Sequence, residues 1–177
     1  MEFNVAQLLK EPVGSSRVYP VDATFDRLPE TGTDHVSGRV TMIRADKGIW
    51  VSGRLETRAV CVCSRCLTTY PHPVRFQLDE VYMPTVDMIT GAPLTQPVED
   101  GALTIDHNHT LSLLEAVRQY TILNMPMKPL CRAECPGICQ GCGVNLNEGP
   151  CQCPASSVDE RWTHLLKLMT SNNSQTR

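Results

Sequence analysis

The sequence has no apolar run approaching the ~20 residues that a membrane-crossing helix needs. Its first twelve residues, MEFNVAQLLKEP, lack the basic start and apolar centre of a secretory signal. These absences predict a cytoplasmic protein, or an organellar one after removal of a transit peptide, with no membrane partner. Aromatic residues make up only 5% of the chain. Catalytic signatures are missing too: there is no G-x-S-x-G, no phosphate-binding P-loop, no H-E-x-x-H and no G-x-G-x-x-G. No Ser/His/Asp or Cys/His constellation emerges either. The expectation is a protein that is not an enzyme and takes no small-molecule substrate.

Cysteine, by contrast, is abundant, with nine in 177 residues. Six of them fall between Cys131 and Cys153, in the pattern C-x3-C-x3-C-x2-C-G-x-N-L-N-x4-C-x-C. So short a stretch, rich in glycine and poor in large apolar residues, cannot bury enough surface to offset the entropy of ordering itself. Thiolates on a metal ion can. In a reducing compartment clustered cysteines bind metal more often than they form disulfides, and an odd count leaves one cysteine outside any fully paired disulfide scheme.

Zinc takes four soft ligands in a tetrahedron. A C-x2-C-G turn lets two sulfurs converge, with glycine accepting the positive φ that follows. Cys139 and Cys142 have this form, Asn145–Gly149 folds the chain back, and Cys151 and Cys153 supply a second pair. These four are the first predicted zinc site. Cys131 and Cys135 then need partners. Cys63 and Cys66, a C-x2-C pair at a turn between strands, complete a second predicted site and would clip the cysteine module onto the sheet. Cys61 is left over. Two other arrangements remain open: one site within 131–142 with Cys151 and Cys153 spare, or an interleaved pair of sites. Thiolates also serve iron–sulfur clusters. The Cys63/Cys66 spacing matches a thioredoxin-type redox motif, although that motif belongs in a strand–helix–strand setting. His107 and His109 form an H-x-H, read as polar loop residues.

Residues 36–83 alternate between apolar and polar. Val36, Val40 and Met42 share one face, as do Ile49, Val51, Leu55, Thr57 and Ala59, and then Val74, Phe76 and Leu78. Such period-2 runs predict an antiparallel meander with one buried face. Residues 17–25 look extended, and Pro20 places them at a sheet edge. A short helix is expected within 4–10. Residues 84–101 read as an acidic loop, with a short strand near 102–106. Two helices are expected, at 111–124 and at about 158–169, each with a capping box, Ser112/Glu115 and Ser157/Glu160. The predicted class is α+β: an antiparallel meander or open barrel with a packed helix, then a cysteine-rich zinc module and a C-terminal helix. The predicted boundary divides a sheet domain, 1–126, from a module of 127–177.

Net charge is −3, but it is unevenly spread. Residues 36–76 hold seven Lys/Arg against two acids, and 77–120 hold seven acids against one arginine. Such asymmetry suits a face that meets a polyanion, and equally a solvated sheet face.

The segment VCVCSRCLTTYPHPV at 60–74 resembles the C-x-R-C-L signature of the YceD family, named for large-subunit ribosomal RNA accumulation. GIWVSGRLETRAV at 48–60, TID at 104–106, LNMP at 123–126 and PLC at 129–131 are similar to other parts of that family. So are the cysteine run with GVNLN and the closing DERWTHLLKL at 159–168, although Glu160 stands where proline is usual. The likeness covers roughly 35–170. Some relatives lack the C-terminal cysteines, so metal cannot be essential to every member. The resemblance implies a non-enzymatic factor needed for accumulation of large-subunit ribosomal RNA, in bacteria and in plastids. It shifts the reading of the basic sheet towards RNA or a pre-ribosomal particle. Arg54, Arg58, Arg65 and Arg75 are then candidate phosphate contacts, with Trp50 as a stacking partner. Arg65 lies inside the signature and could instead satisfy turn carbonyls. An adaptor for a ribosomal protein or processing enzyme, acting through the acidic loop, is the alternative. A thiol redox or iron–sulfur protein is a further one.

Overall fold

Alternation writes the sheet. A computed structural model of the chain describes residues 1–87, 90–94 and 102–153. Its long strands fall where apolar and polar residues take turns: β2 (Ser16–Thr24), β3 (His35–Ala45), β4 (Gly48–Val62) and β5 (Thr69–Pro84). Each pairs antiparallel with the next. Three short strands extend the sheet: β1 (Glu2–Asn4), β6 (Thr104–Ile105) and β7 (Thr110–Ser112). The order across the sheet is β1-β7-β6-β5-β4-β3-β2, with β5 and β6 its parallel pair. The edge position of β2 accommodates Pro20, which has no N–H to donate to a neighbouring strand.

One face of the sheet carries the core. Val36, Val40 and Met42 of β3, Ile49, Val51 and Leu55 of β4, and Val74 and Leu78 of β5 are each at most 2% exposed. Each such side chain contributes about 1.5–3 kcal/mol through its burial. Helix α1 (Ala6–Lys10) adds Leu8 and Leu9, and helix α2 (Leu114–Asn124) adds Ala116, Val117 and Thr121. Tyr120 of α2 lies against Phe76, ring centroids 5.7 Å apart, and its hydroxyl donates to Glu80 at 2.9 Å.

The expected α+β class is wrong. Of the described residues, 44% are strand and only 11% helix, so the chain is a sheet protein with two short helices. Part of the reason lies at Leu111 and Ser112, the first residues of the helix expected at 111–124. Those residues pair with β1 instead, so the helix starts at Leu114. The expected Ser112/Glu115 box does not close. Ser112 Oγ accepts from the Leu114 N–H at 3.4 Å, but the Glu115 carboxylate turns to Arg118, 2.7 Å away, and to Gln119. That pairing holds the Glu115 carboxyl below its usual range, mainly through the Arg118 hydrogen bond. The expected helix at 158–169 and parts of the acidic loop lie outside the described residues.

Two compact units emerge. The first comprises 1–64 and 68–133, and the second 65–67 with the stretch from 134 onward. Among its described residues the second has no apolar core of the kind just described: Val144 is 43% exposed and Ile138 37%. Its order comes from turns. Ile138 and Asn145 form an isolated bridge, Cys139 N–H donates to Val144 O at 2.9 Å, and Leu146 N–H donates to Gly137 O at 2.9 Å. None of the described helices is long and apolar enough to cross a membrane.

Candidate metal centres and the outward sheet face

Eight of the nine cysteines gather into two groups of four. Cys63, Cys66, Cys131 and Cys135 form one, and Cys139, Cys142, Cys151 and Cys153 the other; within each, all sulfurs lie within 4.8 Å of one another. A zinc ion at ~2.3 Å from each thiolate sets tetrahedral sulfurs about 3.8 Å apart. Both donor sets fit such an ion in number, chemistry and spacing. These are the two quartets that the sequence spacing predicted.

Turns position the sulfurs. Cys139–Cys142 closes with the Gly143 N–H donating to Cys139 O at 2.9 Å, and Gly143 has φ +74°. The Gly141 N–H points at Cys139 Sγ from 3.4 Å. Cys151 Sγ stands 3.3 Å from Cys139 Sγ. Backbone donation from the Cys142 N–H, then the Cys151 thiol, lowers the Cys139 thiol to about 6. Cys153, held by hydrogen bonds with the Cys142 and Cys139 sulfurs, is pushed up to about 12.

The other C-x2-C turn has the same shape with different residues. The Cys63 N–H donates to Thr68 O at 3.0 Å, and Leu67, in the place held by Gly143 in the first turn, has φ +60°. That backbone is costly for a residue with a Cβ. Cys63, Cys66 and Cys135 are all buried, whereas Cys142 is exposed. Cys61, outside both groups, is buried on β4, and burial pushes its thiol up.

One contributor escaped the sequence reading. Asn147 donates its side-chain amide to Cys135 Sγ at 3.3 Å and accepts no role as a ligand itself. Asn145 holds it there: Asn145 Oδ1 accepts from both the Asn147 backbone N–H, at 3.0 Å, and its side-chain amide, at 2.7 Å. The Asn-x-Asn in GVNLN was legible as a turn, but the Asn147 hydrogen bond to a sulfur twelve residues upstream depends on the fold. Donors of this kind orient a ligand and spread its charge.

The four arginines do not stay together. Arg54 and Arg58 of β4 and Arg75 of β5 are exposed on the sheet face opposite the core. Arg65 leaves this set. It sits in the cysteine turn and donates to Cys135 O at 2.9 Å, the carbonyl-satisfying role. Arg75 is neutralised by Glu56, 2.9 Å away. Arg39, which the sequence reading did not single out, lies directly opposite Arg54 in the β3–β4 register. The face also has two open hollows. One, of about 430 Å³, is lined by Arg54, Arg75, Ser37 and Gln77 among others. The other, of about 420 Å³, is lined by His35, Glu56 and Arg58 among others. His107 and His109 fall in the turn joining β6 to β7 and belong to neither sulfur group.

An uncharacterized protein of Mycobacterium tuberculosis is 29% identical over 123 residues, 70% of this chain and 56% of its own length. An uncharacterized protein of Mycobacterium leprae is 27% identical over 141 residues, 78% of this chain and 60% of its own. The chain thus spans under two thirds of the curated relatives it matches. No solved structure matches. The family described as "Large ribosomal RNA subunit accumulation protein YceD" matches residues 51–169, which takes in β4, β5, α2 and both sulfur groups. The chain belongs to the YceD family.

Proposed function

We propose that this chain is a non-enzymatic factor in the accumulation of large-subunit ribosomal RNA. It acts by contacting RNA, as such or within a pre-ribosomal particle, and its two cysteine quartets each hold one zinc ion. The observation that carries the RNA contact is the unspent charge on the outward sheet face. Its acids are engaged: Glu56 with Arg75, Asp22 with His35 at 2.8 Å, and Asp79 with the Trp50 indole. Among the described residues, no hydrogen bond or ion pair engages Arg39, Arg54 or Arg58. Exposed guanidinium groups without acids bind phosphates, and each contact releases condensed counterions.

Zinc, when bound, supplies charge neutralisation and cross-linking, with no reaction of its own. The chain's residues do the rest: the Cys142 N–H and Gly141 N–H steady Cys139, and Asn147 steadies Cys135.

The test uses the full chain and a transcript of large-subunit ribosomal RNA. Binding is measured across a salt series, for the wild type and for Arg54→Ala/Arg58→Ala. The expected affinity falls steeply with salt, and the double variant loses about tenfold or more with a shallower slope. Salt-independent binding, or an unchanged variant, would sink direct phosphate contact through this face. Elemental analysis of the same preparation should find two zinc per chain; iron with visible absorbance would overturn the zinc assignment.

A further inference from the structure

The form of RNA is written in the rows of the outward face; this step rests on the RNA-binding reading above. Register sets the rows across β3, β4 and β5. Trp50 lies between Ile43 and Val81, Arg54 lies between Arg39 and Gln77, and Arg58 lies opposite Pro73. At ~3.4 Å per residue, Trp50 stands about 14 Å from Arg54 along the strand, and Arg54 about the same from Arg58.

Two features of these rows do not serve the fold. The first is Trp50, which is 38% exposed with Val81 beside it at 47%. The Trp50 indole N–H donates to Asp79 Oδ1, the diagonal neighbour on β5. That bond satisfies the polar atom inside the protein and tethers the ring by its edge. What remains for a partner is an apolar aromatic surface.

The second is the Arg39–Arg54 pair. Like charges directly opposite each other destabilise a sheet. Here the backbone also presses the two strands together at this point. A Cβ on Gly38 would run into the Arg54 carbonyl oxygen, and one on Gly53 into that of Arg39. Gly38 has φ +146°, which few other residues adopt. Two arginines therefore stand opposite each other on the exposed face with no ion pair to an acid, in line with an exposed aromatic ring.

We infer that this face takes single-stranded RNA, with a base stacked on Trp50 and the adjoining backbone laid over Arg39 and Arg54 towards Arg58. A duplex keeps its base faces within its own stack and offers a sheet only phosphates and groove edges, so Trp50 would contribute nothing. A single strand exposes base faces to an aromatic ring and phosphates to a basic track.

The experiment compares labelled oligouridine with an RNA duplex of equal length, read by fluorescence anisotropy on the full chain. Variants are Trp50→Leu, Trp50→Phe and Arg39→Ala/Arg54→Ala. All three sites are exposed, and removing the arginines relieves a repulsion, so the fold is expected to persist; circular dichroism and zinc content check this. Expected are tighter binding of oligouridine than of duplex and about a tenfold loss in Trp50→Leu for oligouridine alone. Trp50→Phe should recover most of that loss. Arg39→Ala/Arg54→Ala should reduce the salt slope for oligouridine by about 1.4. Equal or tighter duplex binding, or an unaffected Trp50→Leu, would overturn the single-strand inference while leaving RNA contact intact. Binding of neither RNA would overturn both.

Discussion

Cys63, Cys66 and Cys135 are at most 6% exposed and Cys131 is half-buried, while Cys142 is exposed and Cys139, Cys151 and Cys153 are half-buried. The first quartet collects its sulfurs from residues 63 to 135, and the second from 139 to 153 alone. The same four thiolates thus stand in two settings. In the buried quartet, neighbouring groups exclude water and Asn147 donates to a sulfur, so a bound ion has few routes out. In the exposed quartet, water and competing ligands reach the sulfurs directly, and local turns alone keep them converged. Ligand identity sets which ion is chosen, and surroundings set how firmly it is kept.

The sharpest way to break this comparison is to remove one ligand from each. Structural zinc contributes on the order of 10–16 kcal/mol of apparent binding free energy in small zinc modules. Cys135→Ser should lose one zinc equivalent and a large part of the chain's resistance to unfolding. Cys142→Ser should also lose one equivalent yet leave amide protection in β3–β5 unchanged. Metal analysis with hydrogen exchange reads both. If Cys142→Ser loosens the strands as much as Cys135→Ser does, the two quartets do not differ as burial implies.

Alkylation offers a second, kinetic contrast. With a chelator present, Cys142, Cys139, Cys151 and Cys153 should be modified more than about tenfold faster than Cys63, Cys66 and Cys135, since thiolate access controls the rate. Peptide mass spectrometry over time gives the rates, and equal rates would contradict the contrast.

The smallest expected effect lies in the two turns. Leu67 pays for its positive φ where Gly143 does not. The left-handed backbone costs a residue with a Cβ about 1–2 kcal/mol, and glycine's extra unfolded freedom takes back about 0.5–1. Leu67→Gly should therefore change stability by under about 1 kcal/mol, in the stabilising direction, while Gly143→Leu should destabilise by a similar amount. Chemical denaturation would show it; a strongly destabilised Leu67→Gly would mean that the exposed leucine side chain itself holds the turn.

Much of the molecule was legible because its signals are local. Alternation in 36–44, 49–62 and 73–83 marks β3, β4 and β5, since a half-buried strand needs an apolar residue at every second place. Cysteine spacing marked the Cys63/Cys66 and Cys139/Cys142 pairs for a similar reason: a C-x2-C turn brings its own sulfurs together. The class was misjudged where the deciding contact was distant. Nothing near Leu111 says that it will meet Phe3, and that pairing turned the first residues of an expected helix into a strand.

The residue sequence by itself determined which positions face the core, where the chain turns, and that tight cysteine turns would bring neighbouring thiols together in pairs. Only the tertiary structure decided which residues meet across strands. It set Arg39 opposite Arg54, gave Glu56 to Arg75, drew Arg65 away to the Cys135 carbonyl and aimed Asn147 at a sulfur. The physical reason is that side-chain direction follows from the period of one strand, whereas partnership follows from register, which is settled by all the strands burying their apolar faces at once.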